Sequence, residues 1–229
     1  MRVFDANILN IKSYFKLIKI NLVEIIFSFT IVSFFMALSP GPDNIFILSN
    51  TLYNGKKAGL FTVLGLVTGC LFHTTLVAFG ISEIIRFNEN IFFVIKLIGF
   101  AYMLFLAFKV FKNSYLVEIK KIQNTKVSNI DNFFTGLFMN ILNPKVYFFF
   151  FTFFPAFLFL DPIELNYLSQ FYVLGLLFML ITLIVFTSIV FFSSYISKYL
   201  LKFKFFQIFI RWIQILIFLS IACLILFSV

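Results

Sequence analysis

The sequence predicts an all-α membrane protein: six transmembrane helices as two inverted three-helix repeats, with the first helix of each repeat broken. Three observations lead there. The 229 residues are 62% hydrophobic and only 12% charged, with mean hydropathy +1.07. A soluble domain of this size cannot hide so much apolar surface. The apolar residues also fall into runs of membrane-crossing length separated by polar links. Finally, the first and fourth runs are interrupted, at Ser39-Pro40-Gly41-Pro42-Asp43-Asn44 and at Leu142-Asn143-Pro144-Lys145.

Residues 1–21 form a basic tail. Lys12, Lys16 and Lys19 lie within about 60° of one another on a helical projection, which suits an interfacial amphipathic helix or a plain linker. One transmembrane domain is expected over 22–229: repeat one at 22–111, a cytoplasmic linker at 112–131, and repeat two at 132–229. Within it the expected spans are 22–52, 58–85, 91–111, 132–160, 167–193 and 206–229. Asn54-Gly55-Lys56-Lys57 is a turn, and Asp161-Pro162-Ile163-Glu164 is a short acidic loop. No small-residue cleavage site follows the first apolar run, so no removable signal peptide is expected.

The net charge of +9 would suggest nucleic acid in a soluble protein. Here the lysines cluster between apolar runs and act as cytoplasmic anchors, so no nucleic-acid partner is expected. Ten basic residues lie in the alternate links 56–57, 109–126 and 198–204, against Arg86 and Lys96 on the other side. This bias puts both termini outside a multi-pass protein of the cytoplasmic (inner) membrane, although the basic tail runs against it. Glu83, Arg86 and Glu89 are expected to anchor at the outer interface. The 39 phenylalanines are explained most simply by an AT-rich genome. Cys70 and Cys223 sit alone in apolar runs as small hydrophobes.

Broken backbone and charge are costly in hydrocarbon and are kept where they meet a ligand or a protein-lined cavity. Pro42 and Pro144 each suit the first position of a new half-helix, where the missing N–H costs nothing. Asn143 is a good N-cap, and Ser39 or Gly41 can serve the first break. Each half-helix then begins near mid-membrane with unpaired N–H groups and partial positive charge. Two such ends facing each other suit a carboxylate, as in an amino acid. Asp43 is comfortable at such an end and Lys145 is not, so an Asp43–Lys145 pair is expected. It is either a permanent tie between the halves or one that a zwitterion or a coupling proton competes to break. Asn44 and Asn140, within a turn of the breaks, are the better candidates for polar lining; Asn50 and Thr152 are weaker ones.

Three spans per half require the second half to be inverted, as in many secondary transporters whose sites lie where matching broken helices meet. In span two, Gly59, Thr62, Gly65, Gly69, His73 and Gly80 fall within about 120° on a helical wheel. Close helix packing accounts for Gly59, Gly65, Gly69 and Gly80. His73 either relays protons or simply hydrogen-bonds to a neighbouring helix. No Walker loop, HExxH, GxSxG or Cys/His ligand cluster occurs. No enzyme activity, metal site or cofactor is therefore expected.

Ser39-Pro40-Gly41-Pro42-Asp43, the series Gly55-x3-Gly59-x5-Gly65-x3-Gly69, and Asn143-Pro144-Lys145 with its aromatic run to Pro155-Ala156-Phe157 resemble the LysE-type family of bacterial amino-acid exporters, including its RhtB-like branch. Order and spacing are similar over nearly the whole chain after residue 22. The resemblance implies a six-helix exporter that moves amino acids or related small metabolites out of the cytoplasm, driven by the gradient of a coupling proton or cation. The sequence leaves the oligomer open, a homodimer included. Ala156 and the glycine-free span six depart from the family pattern and bear on substrate choice. An ion or metal-cation exporter or channel on the same scaffold is the alternative. A non-transporting membrane scaffold docking through 112–131 is another.

Overall fold

The computed structural model describes residues 22–87, 89–112, 128–158, 166–202 and 204–227. The tail 1–21, the basic stretch 113–127 and the acidic loop 159–165 lie outside them, as do the side chains of Glu83, Arg86 and Glu89. All regular structure among the described residues is helical. In chain order these are α1 (Leu22–Leu38), α2 (Pro42–Phe87), α3 (Glu89–Lys112), α4 (Asn129–Ile141), α5 (Pro144–Phe148), α6 (Tyr167–Lys202) and α7 (Lys204–Phe227). Four stretches are long and apolar enough to cross a bilayer: Pro42–Gly80, Phe93–Lys112, Tyr167–Tyr199 and Gln207–Leu226. α4 and the segment after it make a fifth candidate, bent by 51°. Phe79, Phe105, Phe108, Leu180 and Ile184 are exposed, giving an outer surface suited to lipid.

The first of these stretches is two segments folded back on each other. Asn50 Nδ2 donates to Thr62 Oγ1 across 2.8 Å, whereas an unbroken helix would hold these residues about 18 Å apart. The reversal is made at Gly55, whose φ of 88° and ψ of 167° suit only glycine. A Cβ there would meet nothing within 4 Å, so the requirement is purely conformational. Gly55→Ala is expected to cost about 1–3 kcal/mol, read as a fall in the thermal unfolding midpoint.

Local chemistry sets the other boundaries. α4 begins at Asn129, three residues before the expected span, because Ser128 and Asp131 form a reciprocal capping box. After α5 the helix widens into a π-turn at Phe149–Phe153 and tightens into a 3₁₀ turn at Phe154–Phe157. Pro155 supplies no N–H to Phe151 O, and Thr152 Oγ1 takes Phe148 O at 2.6 Å. Both disturb regular i→i−4 pairing. The phenylalanines here are structural. Phe150 stacks on Phe154 at 4.2 Å and Phe149 on Phe153 at 4.7 Å, within a buried cluster that includes Phe29, Phe171, Phe178 and Phe218.

Residues 56–87 pack against α4 with backbones in direct contact. A Cβ on Gly65 would collide with Phe133 O, and one on Gly136 with Thr62 O. Gly69 accommodates the Asn140 side chain, and Gly59 that of Thr51 within the hairpin. Gly80 is a correction to the expected packing stripe, since a Cβ there would meet nothing within 4 Å. α4 ends at Ile141, opposite Gly69 and His73, so no helix continues alongside Gly80. α3 packs along α7, and α6 against α2.

Candidate functional site

Each break releases carbonyls, and their partners define the site. Pro40 has no N–H for Met36 O, and Pro42 none for Leu38 O. Ser39 N still reaches Phe35 O at 2.8 Å. The carbonyls of Met36, Ala37, Ser39 and Pro40 take side-chain donors. Asn44 Nδ2 reaches back to Ala37 O at 2.8 Å, and Gln214 Nε2 of α7 bonds Pro40 O at 2.8 Å. Lys145 Nζ donates to Ser39 O at 2.8 Å and to Met36 O at 3.2 Å. At the second break Asn143 caps α5, its side chain accepting from Lys145 N at 3.0 Å. Asn140 O accepts from Asn143 N at 3.1 Å and from His73 Nε2 at 3.1 Å. Because a carbonyl only accepts, Nε2 is the protonated nitrogen of that ring.

These elements enclose a cavity of about 20 Å³, room for one water. The first break contributes Gly41, Asp43 and Asn44, and the second contributes Asn140, Asn143 and Lys145. Cys70, Phe149, Phe178 and Thr182 help close it. Asp43 and Lys145 are only 4% and 9% exposed. The expected Asp43–Lys145 ion pair does not form. Lys145 satisfies its ammonium on the carbonyl end of α1, a favourable place for a cation, and Asp43 Oδ1 is left buried without a hydrogen-bond partner.

The other expected site residues do not line this cavity. Ser39 contributes its carbonyl, and its hydroxyl is buried without a partner. Pro42 and Pro144 line a separate outer groove with Phe138 and Leu142. His73 stands behind Asn140, stacked 5.4 Å from Phe150, outside the cavity lining. Thr152 packs against Gly99, away from the site. Cys70 and Thr182 line the cavity in addition to the expected residues; the sequence marks Thr182 only as a hydroxyl in the middle of span five.

Asn50 belongs to a second polar cluster rather than to the cavity. Its Nδ2 bonds Thr62 Oγ1 and Asn132 Oδ1, both at 2.8 Å, and its Oδ1 accepts from Asn54. Asn132 in turn donates to Ser128 O, so the cluster joins the α2 hairpin to the start of α4. Asn50→Ala leaves buried amide groups unpaired and is expected to cost about 1–3 kcal/mol, measurable by thermal unfolding in detergent.

A family model described as "LysE type translocator" matches residues 34–228. The chain is 30% identical to the uncharacterised membrane protein YrhP of Bacillus subtilis (strain 168), over 76% of this chain and 85% of that protein. It is 25% identical to the homoserine/homoserine lactone efflux protein of Salmonella typhimurium, over 70% and 76% of the two chains. It is also 25% identical to the leucine efflux protein of Salmonella choleraesuis, over 57% and 62%. No solved structure matches. On a family match that includes both breaks and every helix from α2 onward, the chain belongs to the LysE type translocators.

Proposed function

We propose that the chain is a secondary exporter of amino acids or closely related small metabolites across the cytoplasmic membrane. The observation that carries this reading is the meeting of two helix breaks, one from each half of the chain, in one narrow cavity holding a buried acid and a buried base. An amino acid carries the complementary pair of charges. Its ammonium meets Asp43, and its carboxylate meets Lys145 and the N–H groups that begin the half-helices. Ser39, Gly41, Asn44, Asn140 and Asn143 shape the remainder, while Pro42 and Pro144 start the half-helices. The efflux proteins among the relatives support the same substrate class.

A buried carboxylate with no salt bridge and with Oδ1 unpaired is costly in its charged form. Binding an ammonium or a proton removes that cost, which gives Asp43 the role of alternately holding substrate and the coupling proton. His73 holds the end of α4 and transmits movement of Asn140 to residues 56–87. The cavity admits a single water and no amino acid, so transport requires the two halves to separate alternately toward each side. In this reading the halves are the inverted repeats, and rocking between them gives alternating access. Efflux of preloaded labelled amino acids from proteoliposomes tests it. Saturable efflux of at least one amino acid is expected, and its absence across a broad panel contradicts export.

A further inference from the structure

The ammonium of Lys145 occupies the kind of place where a transporter of broken helices would hold a metal cation. Its partners, Met36 O and Ser39 O, are backbone carbonyls at the end of α1. Met36 O has no backbone donor because the residue four positions on, Pro40, carries no N–H. The Phe218 ring centroid lies 5.8 Å from Nζ, adding a cation–π contact. Gly41 packs against the ammonium; a Cβ there would lie 3.6 Å from Nζ. The Ser39 hydroxyl, buried without a partner, belongs to the same turn. Asp43 lines the same cavity without pairing to the lysine. Unwound carbonyls at the C-terminal ends of half-helices hold Na⁺ in other transporters.

We propose that the carbonyl end of α1 is a monovalent-cation site whose resident ion is the tethered ammonium of Lys145. The side chain replaces a dissociable sodium ion. It binds α5 of one half to α1 of the other, and no sodium need enter or leave in the cycle. The transport consequence rests on the export function proposed above; the site itself does not. Removing the side chain beyond Cβ vacates a site for a small free cation, and n-propylammonium restores the missing atoms.

The test is thermal unfolding of the purified Lys145→Ala variant in detergent, at equal ionic strength in the chlorides of choline, sodium, potassium and n-propylammonium. The wild-type midpoint is expected to be the same in all four salts. The variant should melt lower in choline. Saturating n-propylammonium or sodium should raise its midpoint by about 2 °C or more. If Lys145→Ala does not fold, Lys145→Met keeps the apolar stem, and a sodium-specific rise is expected there. Failure of every small cation to exceed choline in the variant that folds overturns the site. Saturable sodium dependence of wild-type efflux also overturns the tethered ion, while leaving export intact. Absence of efflux in every salt counts against export alone, and the unfolding series still decides the site.

Discussion

Asp43→Asn should abolish most transport without harming the fold. Asparagine keeps the shape and a weak acceptor but cannot hold a proton or fully match an ammonium. A charge-assisted hydrogen bond is worth about 1.5–3 kcal/mol, so efflux at subsaturating substrate should fall about 10- to 150-fold. The pH dependence contributed by this group should vanish with it. The unfolding midpoint should stay level or rise, because one oxygen of the wild-type carboxylate, Oδ1, is buried without a hydrogen-bond partner and an amide is less costly to bury. A structural ion pair would give the opposite pattern, a large loss of stability with transport failing only as the protein unfolds. Proteoliposome efflux paired with thermal unfolding in detergent separates the two.

Gly136→Val should destabilise the protein more than any other single change considered above. A Cβ at this position runs into the backbone of Thr62 and lies 3.2 Å from Leu66 N, and backbone atoms cannot turn aside as a side-chain tip can. Overpacking of this kind costs about 3 kcal/mol or more, equivalent to a midpoint drop of roughly 6 °C or greater. Gly80→Val is the matched control. It adds the same atoms to a glycine with nothing within 4 Å, so its effect should stay within about 0.5 kcal/mol. Equal losses in the two variants would mean that helix propensity, rather than the contact between 56–87 and α4, sets the requirement.

The breaks were legible because their causes are local. Proline at 40, 42 and 144 removes named hydrogen bonds, and Asn143 has the chemistry of an N-cap whatever surrounds it. Gly55 was legible as a turn for the same reason. The capping box at Ser128 and Asp131 is equally local, but both residues fall in the polar link, where the apolar pattern gives no helix start. What could not be read was the choice of partner. A helical wheel places Gly65 and Gly80 on one face but does not say that α4 stops between them. Lys145 lacks a counter-charge in its own helix, and Asp43 was the nearest candidate by pseudo-symmetry. The carbonyls freed by Pro40 were implicit in the sequence, but only the crossing of α5 over the end of α1 brings the ammonium to them. The π-turn depends in the same way on Thr152 and Pro155 acting together with the stacked phenylalanines.

The central claim is that the two breaks face each other across one site, and a crosslink between them tests it most directly. With Cys70→Ala and Cys223→Ala as background, Gly41→Cys and Lys145→Cys place one thiol at each break, where a Cβ at position 41 would lie 3.6 Å from the wild-type lysine Nζ. A short bifunctional thiol reagent applied to membranes should join positions 41 and 145 within one chain, detected by mass spectrometry of the digested protein. Modification of each thiol singly, with no intramolecular link between them, would contradict facing breaks and the binding site built on them.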